Sequence, residues 1–196
     1  MTPAEVTSVY ERSGALLQGH FLLSSGLHSD RYLQSALALR DPANAARLGA
    51  AVGEKFAGKG ATLVVGPALG AMIVAHEVAR ALKVPMEFTE RDPDTRKMSL
   101  RRGFTVSESD RVVMIEDVVT TGGSIAEAGT LVAAHGATIL GYGCIADRTG
   151  GKPLPWREPL VSLLKMELTA WKPADCPLCA SGSKAVKPGS RPKGDA

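Results

Sequence analysis

Cysteine is scarce in this sequence and long apolar runs are missing, and the two shortages already narrow its class. Three cysteines, an odd number among 196 residues, do not make a disulfide framework and fit a reducing compartment. No apolar run approaches the roughly 20 residues of a membrane-crossing helix. The first residues, MTPAEVTSVYERSG, hold neither the basic nor the apolar stretch of a secretory leader. A cytoplasmic protein with no membrane partner is the expectation. Internal repeats are also missing. What remains, 44% hydrophobic and 22% charged residues, is ordinary for a globular chain and sufficient for one well-cored domain.

An excess of one charge is missing too, once the net +3 is located. From Cys176 onward four bases (Lys184, Lys187, Arg191, Lys193) stand against one acid (Asp195), so the whole excess sits there and the preceding residues are neutral. A neutral main body without a DNA-binding segment argues against a nucleic-acid partner.

What is present alternates between helical and strand patterns, the mark of an α/β sheet fold. Thr2-Pro3-Ala4-Glu5 has a capping-box spacing with proline at the first helical position, which predicts a helix running towards Leu17. Asp41-Pro42 repeats the start signal, and Leu48, Val52 and Phe56 follow on one helical face. Strands are expected over 61–65, 84–89, 112–115, 137–146 and 160–168. Between them lie a turn at Gly66-Pro67-Ala68-Leu69-Gly70 and a second capping box at Ser124-Ile125-Ala126-Glu127. Residues 90–103, ERDPDTRKMSLRRG, mix charges around a proline and predict a mobile loop or open hairpin. The domain is expected to span 1–175, and 176–196 to form a basic, Pro/Gly-rich appendage containing a CxxC.

The stretch VVMIEDVVTTGGS (112–124) carries the chemistry. A strand that ends in a glycine-rich turn and opens into a helix presents unpaired N–H groups and the positive end of a helix dipole, which together form an anion site. Thr120, Thr121 and Ser124 add hydroxyl donors, and Gly122 and Gly123 let backbone approach a phosphate closely. Glu116 and Asp117 would repel that phosphate unless they face vicinal sugar hydroxyls or a bridging Mg²⁺. A P-loop needs lysine directly after its last glycine, where Ser124 stands, and the GxGxxG of a dinucleotide site is missing.

This stretch resembles the phosphoribosyl-pyrophosphate (PRPP) signature of type I phosphoribosyltransferases. Other stretches resemble the orotate phosphoribosyltransferase family: GHFLLSSGLHSDRYLQ (19–34) its orotate-side segment, GPALGA (66–71) its pyrophosphate-side turn, FTERDPDTRKMSLRRGF (88–104) its mobile basic loop, CIADRTGG (144–151) its orotate arginine, and CPLCASGSKAVKPGSR one bacterial ending. The resemblance implies a central, mostly parallel sheet flanked by helices, with a small hood from about 1–40 and 155–175. It implies that Glu116, Asp117, Val118, Val119, Thr120, Thr121, Gly122, Gly123 and Ser124 bind PRPP with Arg91 and Lys97, and that Thr120 and Arg148 bind orotate. Catalysis would fall to Asp117, Glu116, Arg91, Lys97 and Arg101. Mg²⁺ would arrive mainly through PRPP, with Asp117 a candidate holder through water, and loop 90–103 would reach across a homodimer. The product would be orotidine 5′-monophosphate, on the route to UMP. A phosphoribosyltransferase for another base, or a PRPP-sensing regulator that binds nucleic acid, is the rival reading.

Charge independently suits these roles: a guanidinium fork such as Arg148 matches the orotate carboxylate, and a loop with Arg91, Arg96, Lys97, Arg101 and Arg102 can cover pyrophosphate. The sequence departs from the family twice. Ser24 stands where many members have lysine, and the loop lacks their histidine. His20 and His28 are expected to be solvent-facing or core residues. Cys176 and Cys179 give only two ligands towards a closed zinc site, Cys144 at most a third, and an inert or mildly redox-active pair is expected.

Overall fold

Four consecutive apolar residues, Val112 to Ile115, point alternately to opposite sides of a strand, so such a strand needs cover on both faces. The computed structural model describes residues 1–23 and 25–188 and shows how the cover is provided. In chain order its elements are α1 (Pro3–Arg12), β1 (Leu16–Leu22), β2 (His28–Leu33), α2 (Ser35–Leu39), α3 (Pro42–Glu54), β3 (Leu63–Pro67) and α4 (Met72–Leu82). There follow β4 (Met86–Arg91), β5 (Met98–Leu100), β6 (Arg111–Val119), α5 (Gly123–Ala134), β7 (Thr138–Asp147), β8 (Leu160–Lys165) and the short α6 (Pro177–Ala180). The main sheet runs β5-β4-β3-β6-β7-β8 and is parallel except for the antiparallel β4–β5 pair. On β6, Val113 and Ile115 pack with Leu48, Val52, Val74 and Val78 of α3 and α4. Val112 and Met114 pack on the other face with Ile125 and Val132 of α5. Each such fully buried side chain contributes about 1.5–3 kcal/mol.

β1 and β2 form a separate antiparallel hairpin, the hood. Its outer edges do not stay open. Trp171 exchanges two backbone hydrogen bonds with His28 on β2, at 2.8 and 2.9 Å. Val186 accepts from Leu22 N–H at 2.9 Å and donates to the His20 carbonyl at 2.8 Å on the edge of β1. The segment between crosses the hairpin through a 3₁₀ turn, Pro173–Asp175, and α6. The expected appendage from Cys176 therefore needs correcting over its described part: it pairs with the hood, and Cys176 is 2% exposed.

Three further expectations shift. The helix from Thr2 keeps its capping box, with the Thr2 N–H donating to Glu5 at 2.7 Å. It stops at Arg12, because Gly14 takes φ +66 and Ala15 N–H turns back to the Tyr10 carbonyl, freeing Leu16 and Leu17 for β1. The strand after residue 111 runs on to Val119, so the acid pair lies within it. Residues 90–103 combine strand and turn: Thr89, Glu90 and Arg91 pair with Leu100, Ser99 and Met98, which closes the hairpin around a turn at 92–97.

Candidate active site

Neighbouring parallel strands whose connections leave in opposite directions open a crevice at their C-terminal ends. In this sheet the crevice lies between β3, which continues to β4 on one side, and β6, which continues to β7 on the other. The two turns singled out from sequence meet there: Gly66–Gly70 ends β3, and Thr120–Ser124 ends β6. Glu116, Val118, Val119, Thr120, Thr121, Gly122, Gly123 and Ser124 line one cavity of about 400 Å³, together with Arg91, Ile125 and Glu127.

The anion cradle is left open by the failure of an expected cap. Ser124 does not cap α5. The N-cap is Gly122 at φ +74, without a side-chain acceptor, and Glu127 points elsewhere. Arg91 takes Glu127 in a two-pronged ion pair at 2.7 and 3.1 Å, and Met98 N–H adds a bond at 3.0 Å. A guanidinium fork is a stronger partner for a carboxylate than one backbone N–H. The result leaves the helix N-terminus uncapped by side chains and holds the β4–β5 hairpin against α5. Gly122 is required twice over, by its positive φ and because a Cβ would lie 2.5 Å from the Trp156 ring.

Of the expected loop residues, Arg91 reaches the cavity. Lys97 and Arg101 do not line it. Arg101 and Arg102 turn to Glu90, at 3.9 and 3.1 Å, and Lys97 makes no ion pair among the described residues. Ser24, Arg191, Lys193 and Asp195 lie outside the described residues.

The two acids divide between neighbours. Glu116 faces the cradle, while Asp117 leans towards the β3 turn, where a Cβ on Gly70 would stand 3.2 Å from Asp117 Oδ1. Burial, and after it the charge of Asp117, push the Glu116 carboxyl well above the ordinary carboxylate range. Asp117 Oδ1 accepts the Val118 N–H at 2.8 Å.

Arg148 follows β7 directly beside the acids' strand, its N–H donating to the Val119 carbonyl at 2.8 Å. Its guanidinium is half-buried, and the buried Nε has no hydrogen-bond partner among the described residues. Burial lowers its affinity for the proton and the nearby Tyr32 opposes that shift. Tyr32, within the 19–34 stretch, is a residue to which the sequence alone gives no role. Its hydroxyl pKa is raised first by burial and then by Asp117, with Arg148 acting the other way, so the charges of both residues are felt at Tyr32. Phe21 packs against it, ring centroids 5.9 Å apart.

Comparison with known proteins agrees with this arrangement. Residues 38–180 match the phosphoribosyl transferase domain. An orotate phosphoribosyltransferase of Pelotomaculum thermopropionicum is 44% identical over 97% of this chain and 99% of its own length. That of Acidithiobacillus ferrooxidans is 48% identical over 97% and 98%. The crystal structure of orotate phosphoribosyltransferase from Aeropyrum pernix superposes with a TM-score of 0.69 at 27% identity, covering 82% of this chain and 93% of that one. With an uncapped glycine-rich turn, an acid pair and an arginine whose Nε is unpaired among the described residues at the switch point of a mostly parallel sheet, the chain belongs to the orotate phosphoribosyltransferase family of phosphoribosyl transferase domains.

Proposed function

We propose that this chain joins orotate to PRPP: a ring nitrogen of orotate gives up its proton to solvent and bonds C1 of the ribose, the C1–oxygen bond to pyrophosphate breaks, and its electron pair leaves with pyrophosphate. The observation that carries the choice of base is the buried Nε of Arg148, without a partner among the described residues, a charged donor near Tyr32 of the hood, on which Phe21 packs. An anionic carboxylate on an aromatic ring satisfies both features. The open N-terminus of α5 and Thr120 to Ser124 hold the 5-phosphate. Glu116 and Asp117 hold the ribose hydroxyls as positive charge grows on the sugar. Arg91 exchanges Glu127 for the pyrophosphate.

The donor set suits Mg²⁺: two adjacent carboxylates, all oxygen, with the proton affinity of Glu116 raised by burial and then by its neighbour's charge. Bound with PRPP, the ion neutralises part of the leaving pyrophosphate charge. Asp117 is the residue that would hold it through water. The working unit in this reading is a cytoplasmic homodimer whose 90–103 hairpins serve the neighbouring site. In its support, Leu69 and Ile73 leave apolar surface exposed beside the β3 turn, and the cysteines are free thiols. No helix of the described residues is long and apolar enough to cross a membrane.

The test is one set of reactions containing protein, Mg²⁺ and PRPP with orotate, uracil, adenine, guanine or no base. Pyrophosphate release with orotate alone supports the reading. Release with another base instead would move the chain to a different specificity, and PRPP binding without release in any mixture would point to a regulator.

A further inference from the structure

The phosphate and base sites leave one chemically loaded cluster unused. β1 and β2 pair with Leu22 opposite His28, and strand alternation puts His20 on the same face as Leu22, so the two imidazoles meet across the hairpin. The register slips between Gln18 and Phe21, a bulge that sets the direction of His20. From the other side, Cys176 caps α6 and Cys179 sits one turn later, so the CxxC presents both sulfurs to the hairpin. One ligand atom from each of the four residues lies within 4.8 Å of all the others.

The separations are those of a coordination shell. His20 Nε2 is 2.9 Å from His28 Nδ1 and 3.5 Å from Cys176 Sγ. Cys179 Sγ is 3.3 Å from His28 Nδ1 and 3.8 Å from His20 Nε2. With ordinary Zn–N and Zn–S lengths, a tetrahedron spaces its ligand atoms by about 3.3–3.8 Å; of these four separations the imidazole pair is a few tenths of an ångström tight, and the remaining two pairs lie within 4.8 Å. The second nitrogen of His20 is also engaged: Nδ1 lies 3.2 Å from Ser183 Oγ, and donating there leaves the Nε2 lone pair facing the cluster. His20, His28 and Cys176 are each under 10% exposed, a dry setting for four lone-pair-bearing atoms. Cys144 stands apart, buried in β7.

We propose that His20, His28, Cys176 and Cys179 bind one Zn²⁺ as a closed structural site that fastens the 171–188 segment across the hood. Two thiolates and two imidazoles suit Zn²⁺, whereas Mg²⁺ takes oxygen donors. Four protein ligands leave no position for substrate. On binding, each cysteine thiol gives up its proton to solvent and no electron is transferred. The site stands or falls independently of which base the enzyme uses.

The experiment is metal analysis of the full chain purified without chelator from zinc-supplemented medium, with Co²⁺ exchange of the same sample. Expected are one equivalent of zinc per chain, and for the Co²⁺ form the visible bands of a tetrahedral ion with thiolate charge transfer in the near ultraviolet. Cys179→Ser and His20→Ala should lose the zinc, and Cys144→Ala should retain it. A chelator should lower the Tm of the wild type but not of Cys179→Ser. Wild-type protein without zinc and without the Co²⁺ spectrum would overturn the proposal whatever the variants do. So would a Cys176–Cys179 disulfide in the purified chain, or full zinc retention in both ligand variants.

Discussion

Asp117 on β6 and Arg148 just past the end of neighbouring β7 are assigned to different ligands in the proposed reaction, so substitutions should separate them. Asp117→Asn keeps the side chain's shape and its hydrogen bond from Val118 but removes the charge beside the sugar. Its kcat should fall on the order of 10²-fold, as for loss of one transition-state contact, with an unchanged circular dichroism spectrum. Arg148→Ala leaves the orotate carboxylate unpaired in a partly dry pocket, a cost of roughly 2–5 kcal/mol. Orotate KM should rise at least about tenfold, while titration calorimetry should show PRPP affinity unchanged. Equal loss of both ligands would place Arg148 in the phosphate cradle. Glu116 makes a third prediction through pH. Its folded pKa lies above its unfolded one, so between the two values the folded chain holds a proton that the unfolded chain has lost. Raising the pH through that window therefore destabilises the ligand-free fold, and Glu116→Gln should flatten this part of the Tm-against-pH curve. The grouping of the acids, the glycines and Arg148 at one end of the sheet was legible in the sequence because each belongs to a short motif near the C-terminal end of a strand. Tyr32 was not, since its nearness to the charges of Arg148 and Asp117 depends on the docking of a separate hairpin.

At the scale of elements, the proposed reaction asks the β4–β5 hairpin to answer to ligand. Its Asp92–Lys97 turn is exposed, with Arg96 at φ +60, and its hold on α5 is the pair of Arg91 with Glu127. Trypsin should cut at Arg96 or Lys97 in the free protein, faster in Glu127→Ala, and more slowly when PRPP and Mg²⁺ are present. Equal rates in all three would remove the hairpin from the binding step. The sheet elements could be read from sequence because Val112 to Ile115 and their neighbours are apolar enough to demand burial on both faces. The cap at Ser124 was misread for a reason that sequence hides: Glu127 has the spacing of a capping box, but a guanidinium 36 residues upstream competes for it. The helix–strand boundary at Gly14 was missed because Leu16 and Leu17 fit either pattern until the hairpin partner, Leu33 and Tyr32, is in place.

For the whole molecule, the four-ligand cluster was out of reach of any local motif, since its two halves lie more than 140 residues apart in sequence. That separation sets an order of assembly. The phosphate cradle is complete once β3, β6 and α5 have packed, whereas the hood is held on both outer edges by residues 171 and 186. On the ribosome, the hairpin that begins near residue 16 must wait, unclasped, until almost everything else has been synthesised. A chain stopped before Trp171 should therefore still bind PRPP by calorimetry yet fail to use orotate. Wild-type orotate kinetics in that truncated chain would show that the hood needs no clasp. The half of the enzyme that recognises sugar phosphate would then exist before the half that chooses the base, and a nascent chain would pass through a stage at which it can grip the donor without being able to spend it.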